Sequence, residues 1–103
     1  MISNEEYPAL TQFFGGYFHQ DWDLEAAEWQ GLVRNFCDAA CHEQIAVVYS
    51  ELGKLLAEAQ DERDLSVVLF SQLGCAYDPT VDGISLRDWI EEIQRQLLAS
   101  TAP

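Results

Sequence analysis

The sequence predicts an all-α protein, a single compact bundle of about five helices, and three observations carry that expectation. Apolar residues recur at helical spacing along most of the chain. Ser, Asp and Gly stand where helices would begin and end. The 103 residues, 49% hydrophobic and 12% aromatic, suffice for one core and one domain over 1–103.

Near the front, Pro8 suits a first helical turn, where its missing N–H costs nothing, and Leu10, Phe13, Phe14 and Tyr17 share a face. Gly15 and Gly16 weaken that helix towards its end and let the chain turn or another backbone approach closely. Asp23 can cap a second helix whose Trp29, Leu32, Val33, Phe36, Cys37 and Ala40 point inward. The clearest helix covers residues 41–59. Its stripe is Ile45, Val48, Tyr49, Leu52, Leu55, Leu56 and Ala59, and on the other side Lys54 can meet Glu51 and Glu58. Asp61, with Glu62 and Asp64 in the first turn, starts a fourth helix through Leu65, Val68, Leu69 and Leu73, and Gly74 suits its C′ position. The run from Val67 to Phe70 has strand propensity, but its acidic start and glycine stop favour helix. Ser85 with Asp88 opens the last helix as a capping-box variant, burying Leu86, Trp89, Ile90, Ile93 and Leu97. Arg87–Glu91 and Glu91–Arg95 pair along its wet side. The tail, about 99–103, is expected to fray.

Charge narrows the partners. Eighteen acidic residues stand against 5 basic ones, a net charge of −13. Such a chain has little Lys or Arg to displace counterions from nucleic acid, and anionic membranes repel it. A basic protein is the partner whose approach this field accelerates. The start lacks a basic n-region and an apolar h-region, and no apolar run approaches the roughly 20 residues that cross a bilayer. Cys37, Cys41 and Cys75 are an odd set that fits a reducing compartment. The expected location is the cytosol.

Two segments depart from amphipathic patterning: FGGYFHQDWD (14–23) and GCAYDPTVDG (74–83). Both mix aromatics with carboxylates, as binding surfaces do. Each also reads as local structure, the first as a packed corner with Asp23 as cap, the second as Asp-Pro and Asp-Gly turn chemistry. Catalytic patterns are thin: His19 and Asp21 could orient one another and Cys37 could pair with a histidine, but no nucleophile elbow, HExxH or phosphate loop is present. Cys37, Cys41 and His42 would need further metal ligands, for which Cys75 and His19 are the candidates, and free cysteines are the simpler reading. Residues 78–83 lack EF-hand spacing. The expectation is no enzyme, no catalytic residue, no metal and no cofactor.

The strings LTQFFGGYFHQDWD (10–23), LGCAYDP (73–79) and DGISLRDW (82–89) resemble a family of contact-dependent growth-inhibition immunity proteins, over nearly the whole chain. The resemblance implies an α-helical cytosolic protein that binds the C-terminal domain of a large toxin-delivery protein as a heterodimer. Toxins neutralised by such proteins include RNases, one with a pancreatic-ribonuclease-like fold. The chain departs from the pattern at 26–28 and 38–41, so the motifs can be scaffold and specificity can lie elsewhere.

An RNase must present cations to hold phosphate, so an acidic surface can occupy that cleft. The expected contacts are Asp21, Asp23, Asp78 and Asp82, with Tyr77 as an aromatic anchor. A competing surface carries Glu58, Asp61, Glu62 and Asp64. The alternative function is an acidic helical adaptor or regulator of another basic protein.

Overall fold

Helical periodicity becomes five α-helices in the computed structural model, which describes residues 6–19 and 28–101. They are α1 (Pro8–Tyr17), α2 (Trp29–Ala39), α3 (His42–Glu58), α4 (Glu62–Ser66) and α5 (Leu86–Thr101), and no strand forms among the described residues. The radius of gyration, 12.6 Å, is that of one tightly packed domain of this length.

Each helix buries the stripe its sequence marks. Leu10, Phe13 and Phe14 of α1, Trp29, Leu32, Val33 and Phe36 of α2, and Ile45, Val48, Leu52 and Leu55 of α3 enter one core with all five expected residues of α5. Tyr49 does not; it stays 38% exposed at the edge of the α3 stripe. The cap of α2 is Glu28, while Asp23 lies outside the described residues. The last helix runs through Ala99 and Ser100 to Thr101.

Two glycines lie where helices meet their neighbours. Gly15 lies against Leu73, whose carbonyl oxygen would be 3.7 Å from a Cβ added there, and the Ala76 N–H donates to the Phe18 carbonyl at 2.7 Å. The end of α1 is thus zipped to the chain that follows α4. Gly53 sits where α3 meets α5, and the open space lets Gln94 Nε2 donate to the Tyr49 carbonyl at 3.2 Å.

The fourth helix differs from its expected α form. Asp61 caps it and Gly74 follows it with φ 75°, as expected, but Val67–Gln72 winds as a π-helix. The Leu73 N–H reaches back to the Val68 carbonyl at 2.9 Å. The wider turn sets Leu73 above Val68, so both are buried. Propensity carries no signal for this winding, which leaves Leu73 beside Gly15 of α1.

Ion pairing along α5 also differs. Arg95 pairs with Glu92 instead of Glu91. Arg87 turns from Glu91 and donates to the carbonyls of Leu56 and Ala59, at 3.4 and 3.3 Å, at the C-terminal end of α3. A cation there offsets the negative end of the helix dipole, which an exposed pair along α5 could not do.

Candidate functional site

Carboxylates expected as a binding surface are first used to build the fold. Glu62 accepts from the N–H groups of Leu86 at 2.6 Å and Arg87 at 2.9 Å, capping α5 from another helix. Glu58 accepts from the Tyr7 hydroxyl at 2.9 Å and pairs with Lys54 at 3.7 Å. Both oxygens of each side chain are therefore engaged. Asp61 Oδ1 accepts from the Asp64 N–H at 3.0 Å, and Asp64 Oδ2 from the Gln60 N–H at 2.9 Å.

The loop after α4 is equally ordered. Asp78 Oδ1 accepts from the Thr80 N–H at 2.9 Å and its hydroxyl at 2.6 Å, opening a 3₁₀ turn over Pro79–Asp82. Gly83 ends the turn in the left-handed region at φ 81°. This is the turn chemistry read from Asp-Pro and Asp-Gly. The Tyr77 hydroxyl donates to Asp82 Oδ2 at 2.5 Å. Burial, reinforced by that bond to a carboxylate, raises the Tyr77 pKa well above the ordinary phenol value.

Tyr77, expected as an anchor for a partner, is only 7% exposed, with its ring 5.6 Å from that of Trp89. The same indole receives Phe14 at 5.8 Å, Phe18 at 5.3 Å and Trp29 at 6.0 Å. Phe14 and Phe18 of the first aromatic segment and Tyr77 of the second thus meet around Trp89, which is fully buried.

Asp78 and Asp82 share the turn, and the chain from Asp82 to Leu86 spans at most about 14 Å. Because Glu62 holds Leu86, the loop and the start of α4 are neighbours at one carboxylate-rich end. Asp21 and Asp23 lie outside the described residues. Within this end, Asp61, Asp64, Asp78 and Asp82 each keep one carboxylate oxygen without a hydrogen bond to a described residue. Those oxygens can accept from an incoming cation.

The remaining candidates fall apart in space. Cys75 is buried, donates to the Tyr77 carbonyl at 3.3 Å and has its thiol pKa pushed up to about 12 by burial. Cys41, by contrast, is exposed and Cys37 half-buried. Among the described residues, no group of three or more His, Cys, Asp or Glu side chains could hold a metal ion. His19 is half-buried beyond the end of α1.

The sequence matches the CdiI immunity protein family over residues 6–97. The chain belongs to this family. Its fold is similar to that of a chain in the crystal structure of the CdiA-CT/CdiI complex from Y. kristensenii 33638, with TM-score 0.87 and 26% identity over 95% of this chain and 99% of that chain. No curated protein matches the sequence. In this immunity-family chain, sequence reasoning missed the tertiary caps. Glu51, expected beside Lys54, instead accepts from the N–H groups of Ala9 and Leu10, each at 3.1 Å, at the start of α1. Helical spacing cannot signal such a contact, because its donors lie on another helix.

Proposed function

We propose that this chain binds the C-terminal toxin domain of a CdiA protein in the cytosol and neutralises it, and that the toxin is a basic nuclease, an RNase in the most specific reading. The observation that carries the reading is family membership over 6–97, together with likeness to a chain from a CdiA-CT/CdiI complex. The charge of −13 supports a basic partner. Carboxylates set on a rigid end can take the place of RNA phosphates in a cationic cleft, and the order of the loop lowers the entropy lost on binding. Asp61, Asp78 and Asp82 are the described contacts we assign, and Asp21 and Asp23, which lie outside the described residues, are assigned with them from the sequence. Among the described residues, no helix is long and apolar enough to cross a membrane.

Co-expression with the cognate toxin domain tests the function. The expected result is restored growth and co-purification of a heterodimer; continued toxicity without co-purification would sink the reading. For the contact assignment, the combined Asp78→Lys and Asp82→Lys change should weaken binding and flatten its salt dependence. Unchanged affinity and slope would remove this end from the interface.

A further inference from the structure

We propose that the groove between α1, α2 and the first turn of α3 receives an arginine side chain of the toxin. This rests on the reading of the chain as a toxin-binding immunity protein and supplies the anchoring contact that the buried Tyr77 ring does not.

The groove has a volume of about 570 Å³. Phe13, Tyr17 and Phe36 make its floor, with Phe13 and Tyr17 each edge-on against Phe36 at 4.9 and 5.5 Å. Ala39 and Val47 form its walls, and Val47 is 46% exposed. Glu43 stands on the rim and makes no hydrogen bond or ion pair with another described residue. No Lys or Arg lines the groove.

One ligand chemistry satisfies all of these features. The methylene stem of an arginine can lie along Ala39 and Val47. Its planar, weakly hydrated guanidinium stacks on an aromatic face while donating to a carboxylate. A neutral apolar side chain would cover the same floor but leave the exposed Glu43 carboxylate on the rim without an ionic partner. A lysine ammonium is a compact, strongly hydrated charge that stacks less well. The net charge of −13 draws such a cationic group to the surface.

The groove and the carboxylate-rich end lie at opposite ends of α3, a helix of 17 residues. At helical rise that is about 25 Å, a span one standard interface can cover.

The test measures binding of the cognate CdiA C-terminal domain to the full chain at two salt concentrations. Ala39→Arg offers the groove a cation from within. Ala39 is exposed in the last turn of α2, where arginine suits both helix propensity and dipole, so folding is retained. It should bind at least about tenfold more weakly, whereas Ala39→Ser should bind like the unaltered chain. Glu43→Gln should lose about tenfold and show a shallower salt dependence. Circular dichroism checks that each variant is folded, and Glu43→Gln decides alone if Ala39→Arg is not. If the unaltered chain binds and both folded variants bind as tightly, the groove is overturned while toxin binding stands. If the unaltered chain does not bind, the functional reading fails and the groove with it.

Discussion

The Glu62 carboxylate sits 2.6 Å from the Leu86 backbone nitrogen and caps a helix that begins 24 positions further along the chain. Glu51 does the same for α1 from α3. Helix N-termini leave N–H groups without intrahelical acceptors, and a carboxylate there both bonds them and offsets the positive end of the dipole. In this chain those carboxylates come from neighbouring helices, so capping and packing are one event.

Removing such a cap should therefore uncouple helices. Glu62→Ala is expected to lower unfolding free energy by about 1–2 kcal/mol, and Glu51→Ala by a similar amount. Urea denaturation measures this, and an unchanged midpoint for both would refute the capping role.

Trp89 is the centre of the aromatic core, and its Nε1 is buried without a hydrogen-bond partner among the described residues. Trp89→Ala should cost about 3–5 kcal/mol, a large share of a small domain's stability. Trp89→Phe keeps a ring against Phe18 and Tyr77 and removes an unpaired N–H, so it should cost distinctly less. Equal losses in thermal melts would contradict this account of the core.

Alkaline pH should destabilise the fold through three buried groups. Burial raises the pKa values of Tyr7 and Tyr77, and that of Cys75 to about 12. A raised native pKa means stability that is complete below the unfolded value and declines as pH climbs towards the native one. The decline should begin above about pH 9 for the thiol and about pH 10 for the phenols. Tyr77→Phe should lose less of its stability across that range than the unaltered chain. A parallel decline in both would dissociate Tyr77 from the effect.

The glycines separate into distinct cases. Gly74 has φ 75°, so Gly74→Ala should destabilise by about 1 kcal/mol. At Gly53 a Cβ would come 3.3 Å from Gln94 Nε2, the far end of a flexible side chain. There the helix-propensity gain of about 1 kcal/mol should roughly offset the disturbed Gln94–Tyr49 bond. Denaturation midpoints that ranked Gly53→Ala as the more harmful change would reverse this assignment.

Periodicity and punctuation determined much of this protein without its structure. The apolar stripes of α3 and α5, the caps at Asp61 and Ser85, and the glycine stop at Gly74 are properties of a few adjacent residues, and local spacing is enough to express them. The acidic character that points to a basic partner is likewise a property of composition. Only the tertiary structure decided what the individual acids and aromatics do. Tyr77 reads as an anchor for a partner until Trp89 is placed beneath it, and Glu51 reads as a wet-side charge and Glu62 as a first-turn acid until the starts of α1 and α5 arrive at their oxygens. The groove over Phe13, Tyr17 and Phe36 has no sequence signature, because its floor joins two helices and its rim belongs to a third. A carboxylate's role depends on which donors lie within about 3 Å of it, and for residues distant in sequence folding alone sets that distance.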